Sequence, residues 1–138
     1  MTPALQLSRA LYFDCAHSYQ VKSWTQDENL KEFGACFSPV GHGHTYRLEA
    51  FVEGPVDPVS GMILNLRDLD DLLKLSVTPL QGKFLDREVP EFLEKVPTTE
   101  NIALFLFEKL AALLTEKKLK LCRIRLFETE DLWVDCQS

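Results

Sequence analysis

The sequence has no run of about 18 consecutive apolar residues, so no helix that spans a bilayer is expected. Basic residues are the minority: 15 Lys and Arg stand against 21 Asp and Glu, for a net charge of −6. Nucleic acid and acidic membrane surfaces reward basic patches, and neither is therefore an expected partner. The densest basic cluster, Lys117, Lys118 and Lys120, reads as a solvated helix end. Met1–Ser8 has neither a basic start nor a long apolar stretch, so a signal peptide is not expected. The four cysteines, Cys15, Cys36, Cys122 and Cys136, form no CxxC pair and no dense framework. Reduced thiols in a cytoplasmic protein are the expectation. Cys122 lies in an apolar run and is expected in the core. No internal repeat or low-complexity linker divides the chain, and residues 1–138 are read as one domain. Histidine is scarce as well, with only three in the chain.

What is present is a 46% hydrophobic content arranged at two clear periods. Residues 4–16 read as a first strand that ends at His17. A polar stretch from Ser18 to Gly41 follows, with a short helix expected around Asp27–Phe33. From His44 to Glu53 apolar residues alternate at Tyr46, Leu48, Ala50 and Val52, the period of a strand with one buried face. Gly54–Gly61 is dense turn chemistry, and Met62–Leu64 reads as a short strand. Asn65 is placed to cap a helix that carries Leu66, Leu69, Leu72 and Leu73 on one face. Pro79 and Gly82 stop it. A second helix is expected after Pro97, capped by Thr98 or Thr99, with a stripe of Ile102, Phe105, Leu106, Leu110 and Leu113. Leu119–Phe127 and Leu132–Cys136 read as a closing hairpin around Thr129–Asp131. The order ββααββ predicts an α+β protein: an antiparallel four-stranded sheet with both helices on one face. A sheet this short leaves open edges, which invite pairing with further copies, so a homo-oligomer is expected.

The three histidines are not scattered. His42 and His44 lie two apart at the start of a strand, so both imidazoles point to one face. His17 ends the preceding strand, where an antiparallel neighbour brings it alongside. Three neutral imidazoles with an open fourth position are a donor set for catalytic zinc. Spacing alone leaves three readings open: such a site, an exposed His-x-His loop, or a closed structural site with Cys36 as fourth ligand.

Several segments resemble the 6-pyruvoyltetrahydropterin synthase family, which also contains 6-carboxytetrahydropterin synthase. They are Phe13-Asp14-Cys15-Ala16-His17, Glu28–Cys36, Gly41-His42-Gly43-His44-Thr45-Tyr46, Val56–Met62, Asn65-Leu66, Thr98-Thr99-Glu100-Asn101 and Phe127-Glu128-Thr129. The resemblance is collinear over nearly the whole chain. It implies a T-fold whose sheets join by their edges into a barrel of three subunits, commonly doubled to a hexamer, with active sites between subunits. It also implies that His17, His42 and His44 hold zinc and that Cys36 is the proton-abstracting residue. Glu128 would anchor the ring nitrogens of a pterin, in a pocket lined by Thr98 and Thr99. A carboxylate suits that role because it accepts two parallel N–H bonds. The five residues between Cys36 and His42 resemble the pyruvoyl branch and imply 7,8-dihydroneopterin triphosphate as substrate.

One segment departs from the family. Where relatives read Pro-Leu-Asp-His-x-x-Leu, this chain has Pro79-Leu80-Gln81-Gly82-Lys83-Phe84-Leu85. Gln81 and Gly82 replace a carboxylate and an imidazole whose general acid–base help contributes roughly 10²–10⁴-fold. If zinc takes all three histidines, no other histidine remains, and a homo-oligomer has none to lend. A free thiol titrates near about 8.5 and is only slightly ionised at neutral pH, so Cys36 needs another source of activation. Lys83 and Asp86 are nearby charges of the two signs. The expectation is a zinc-dependent lyase of the pyruvoyl type with weak or altered turnover. The alternatives are a pterin-binding paralogue without useful catalysis, side-chain cleavage of dihydroneopterin, and 6-carboxytetrahydropterin synthase activity.

Overall fold

The structure, a computed structural model, describes residues 3–138. Its frame is a sheet in the order β1-β2-β3-β4, every neighbour antiparallel: β1 (Leu7–His17), β2 (His42–Glu53), β3 (Lys120–Thr129) and β4 (Leu132–Gln137). Four helices connect and cover it: α1 (Gln26–Phe33), α2 (Leu66–Val77), the single turn α3 (Leu85–Glu88) and α4 (Thr99–Glu116). The two long helices, α2 and α4, pack on the same face, α2 against β1 and α4 against β3 and β4. This is the expected ββααββ order with two short helices added.

Alternation decides which side chains enter the core. Tyr46, Leu48, Ala50 and Val52 are all fully buried, and the intervening residues of β2 are not. Phe13 and Cys15 of β1 and Leu121, Ile124 and Leu126 of β3 share that inner face. Against it α2 sets Leu69, Leu73 and Val77, and α4 sets Ile102, Ala103, Leu106, Leu110 and Leu114. Leu66 was expected on the buried face of α2, but it starts the first turn and is about half exposed.

Two expectations fail for local reasons. Met62–Leu64 is a bend and not a strand: Asp57 N–H donates to Met62 O, which folds the segment back on its own turn. Cys122 is not a core residue. The β2–β3 register steps from Phe51↔Arg123 to Val52↔Leu121, which leaves Cys122 as the extra residue of a β-bulge. Its neighbours Leu121 and Ile124 both point inward and Cys122 is left half-buried.

The polar stretch before β2 is ordered by side chains that copy backbone hydrogen bonds. Thr25 and Glu28 form a reciprocal capping box on α1. Buried Asn29 accepts from Val21 N–H and donates to the Val21 and Thr25 carbonyls, tying the helix to the loop that follows β1.

At its other end α4 closes with a Schellman motif. Lys118 N–H donates to Thr115 O and Leu119 N–H to Leu114 O, while the Leu114 and Leu119 side chains are both buried. The motif needs a left-handed residue, and Lys118 supplies it at φ 59. A side chain in that region costs about 1–2 kcal/mol, of which glycine returns part through its greater unfolded-state entropy. Lys118→Gly is therefore expected to stabilise the protein by about 0.5–1 kcal/mol, read as a higher urea midpoint at unchanged slope.

Candidate metal centre and ligand anchor

The site lies where β1 ends and β2 begins. Their register pairs His17 with His42 and Cys15 with His44, so the three imidazoles rise from the inner face beside Phe13 and Tyr46. The ring centroids are 4.7 Å apart for His17–His42, 5.1 Å for His17–His44 and 5.0 Å for His42–His44. His17 Nε2 and His42 Nε2 face each other at 3.1 Å. Ring nitrogens so close can share one proton, or both can turn their lone pairs on a cation.

Burial keeps His17 neutral. Its pKa is pulled down to about 3, mainly by desolvation and further by His42 and His44. The pKa of His44 is lowered too, by desolvation first and by His42, against an opposing pull from Glu128. Neutral imidazole is the form that binds a metal. The Tyr46 hydroxyl lies 3.0 Å from His17 Nδ1 and sets which nitrogen faces the cluster. Tyr46 is itself immobilised by stacking on Phe13 at 5.2 Å. The spacing argument missed Tyr46, although it stands two residues beyond His44 on the same face of the same strand.

A carboxylate completes the group. Glu128 sits in a second bulge: the β3–β4 register steps from Phe127↔Trp133 to Thr129↔Leu132 and leaves Glu128 unpaired between them. Its Oε1 lies 3.0 Å from His44 Nε2. Its Oε2 accepts from Thr99 Oγ1 at 2.6 Å and from the Tyr19 hydroxyl at 3.3 Å. One donor atom from each of His17, His42, His44 and Glu128 falls within 4.8 Å of all the others.

These residues fit a metal ion, and the fit rests on an orphaned atom. His44 Nε2 is buried and makes no hydrogen bond, although Glu128 Oε1 lies 3.0 Å away. An unsatisfied buried polar atom costs about 1–3 kcal/mol. A cation held by the three imidazoles would satisfy it.

The structure treats the remaining candidates differently. Cys36 ends a 3-10 turn (Gly34–Cys36), half-buried, with its carbonyl accepting from Tyr19 N–H at 2.9 Å. It stands outside the donor cluster, so the fourth donor within reach is Glu128 and not Cys36. Thr98 spends its hydroxyl on capping α4, accepting from Asn101 N–H, while Thr99 reaches Glu128. Cys15 is near the histidines, but burial pushes its thiol up to about 12 and leaves it inert. Tyr19, which sequence reasoning also missed, tilts against His17 with ring centroids 4.8 Å apart.

The segment that departs from the family is engaged elsewhere. Gln81 Oε1 accepts from Asp14 N–H, Gly82 N–H donates to Asp14 O, and Ala16 N–H donates to Lys83 O. Residues 81–83 thus form a turn hydrogen-bonded along the outer edge of β1, which ends in one isolated parallel bridge between Ala16 and Phe84. Asp86 accepts from Ser18 N–H at 2.9 Å, and exposed Lys83 borders a cavity of about 530 Å³ with Asp14, Gly43 and His44.

The family model described as 6-pyruvoyl tetrahydropterin synthase matches residues 6–138. The 6-pyruvoyl tetrahydrobiopterin synthase of Pongo abelii is 39% identical over 127 residues, covering 91% of this chain and 86% of that protein. The Homo sapiens protein of the same name is 38% identical over 127 residues, with the same coverage. Among solved structures, the 6-pyruvoyl tetrahydropterin synthase of Caenorhabditis elegans superposes with a TM-score of 0.90 at 30% identity, covering 99% of this chain and 96% of that one.

Tyr46→Phe keeps the stack on Phe13 and removes the hydroxyl at His17 Nδ1. It is expected to cost about 1–3 kcal/mol, measured by urea unfolding of the metal-free protein, with near-native far-ultraviolet circular dichroism.

Proposed function

The chain belongs to the 6-pyruvoyl tetrahydropterin synthase family, and we propose that it is a zinc-dependent lyase that eliminates triphosphate from 7,8-dihydroneopterin triphosphate. The observation that carries this reading is the convergence of three imidazoles on one point beside a carboxylate held by two hydroxyls. His17, His42 and His44 would hold the zinc. A bound zinc supplies Lewis acidity that polarises side-chain hydroxyls and makes the adjoining C–H acidic. Glu128 would grip the flat ring through two parallel N–H bonds, a geometry only a carboxylate offers at such strength. Cys36, as thiolate, would take the side-chain proton to sulfur. The freed electron pair forms the new double bond, and the C–O bond to triphosphate breaks with its electrons leaving on the phosphate oxygen.

The same reading extends to assembly. In the four-stranded sheet β1 and β4 are the edge strands, and β1 is covered at its C-terminal end by residues 81–83. Edge pairing of three copies into a barrel, with sites completed between subunits and zinc as the resident metal, agrees with this geometry.

A second reading has a specific observation behind it. Gln81 and Gly82 carry no group that transfers protons near neutral pH, and both are tied to Asp14. Gly82 is at φ 70, where a side chain meets open space but pays the left-handed penalty. A pterin-binding paralogue that keeps metal and anchor without useful turnover has the same site.

The purified, zinc-loaded protein is expected to hold one zinc per chain and to lose it in His42→Ala. With 7,8-dihydroneopterin triphosphate it is expected to release triphosphate slowly, and Cys36→Ala is expected to lower the rate by at least about 100-fold. Mass spectrometry of the product separates elimination from side-chain cleavage. Tight pterin binding with no product establishes the paralogue instead, and no zinc uptake sinks both readings.

A further inference from the structure

Three imidazoles and a carboxylate, with one donor atom of each within 4.8 Å of all the others, offer the four donors that a complete tetrahedral zinc shell takes. Such a shell is closed, and a closed shell leaves the substrate no position on the metal. The carboxylate is therefore dangerous to function wherever it is free to turn.

In this chain it is not free. Glu128 Oε2 accepts from Thr99 Oγ1 at 2.6 Å and from the Tyr19 hydroxyl at 3.3 Å. A carboxylate oxygen has two lone pairs, and both are thereby occupied. The two donors hang from separately fixed elements. Thr99 is buried in the first turn of α4. Tyr19 is held by its own N–H on the Cys36 carbonyl at 2.9 Å, by the tilt of its ring on His17, and by edge contact with Phe33 at 5.8 Å. What remains is Oε1, which sits at His44 in an orientation that makes no hydrogen bond.

We propose that Tyr19 is a positioning residue: with Thr99 it tethers Glu128, so that the carboxylate serves as ligand anchor and does not become the fourth zinc ligand. This rests on the zinc and pterin reading above. The tether explains how a fourth donor stands within coordinating reach of three histidines while the site keeps a position for a ligand. It also connects the Cys36 turn to the anchor, because one residue bonds to Cys36 through its backbone and to Glu128 through its side chain.

The test compares wild type with Tyr19→Phe, Thr99→Val and the double variant, each isosteric with the residue it replaces. Zinc affinity is read by competition with a chromophoric chelator in the absence of pterin, and pterin affinity by the fluorescence of neopterin titrated into zinc-loaded protein. A tether released should let Glu128 reach the metal. Tyr19→Phe is therefore expected to bind zinc about tenfold tighter and neopterin about tenfold weaker, and the double variant more so in both directions. Opposite shifts are the signature, since a merely loosened site weakens both. Weaker zinc binding in both single variants, or zinc affinity unchanged in the double variant, overturns the tether. Should Tyr19→Phe fail to fold, Thr99→Val alone must show the opposite shifts or the proposal falls. Absence of zinc from the wild type overturns the lyase reading and the tether with it. Stoichiometric zinc without the opposite shifts overturns the tether alone.

Discussion

The antiparallel register between β1 and β2 is the constraint on which everything else rests. Side chains in a strand alternate between faces, so a slip of one residue would turn Phe13, Cys15 and His17 outward and bring Asp14 and Ala16 in. The core and the site would be lost together, because they are the same face of the same two strands. The apolar residues Phe13, Tyr46 and Leu48 specify the register by what they bury. The histidines inherit it. A cluster of candidate metal ligands at the end of a hydrophobic strand pair is thus positioned by forces that have nothing to do with a metal.

Gathering one buried and three half-buried titratable side chains at one point is expensive, and the structure shows how the cost is kept down. His17 stays neutral, and its second nitrogen has Tyr46. Glu128 accepts two hydroxyl hydrogen bonds on one oxygen. The remaining debt is concentrated on His44 Nε2, buried without a partner. Strain left at one atom in an otherwise satisfied network marks the place where a ligand belongs.

The departure at Gln81–Gly82 looks different in three dimensions than in one. As sequence it reads as a loss, a proton relay deleted. In the fold the same residues are recruited to the sheet: the Gln81 carboxamide stands in for a backbone carbonyl on Asp14, and Gly82 takes the left-handed turn that lets the chain run alongside β1. Phe84 then packs against Gly41, one residue before His42, so tightly that any side chain at Gly41 would collide with its ring. This segment supports both ends of the histidine pair by backbone and packing.

Period-2 and period-3.6 patterns and the turn residues between them were enough to place four strands and two long helices, because burial on one face is a local, repeating demand. His17, His42 and His44 were legible for the same reason: two share a strand face and the third closes the strand before it. Cys122 and Met62–Leu64 were misread because a bulge and a backbone turn do not show in the hydrophobic pattern. Tyr19 and Glu128 lie 109 residues apart, and no spacing rule joins residues at that distance. Their meeting, and the reach of Thr99 from α4 to the same oxygen, depend on how a helix settles on a sheet after both have formed. Sequence alone determined which chemical groups this protein owns and on which faces they stand. Only the tertiary structure decided which of them touch, since contacts between distant elements are set by packing across the core.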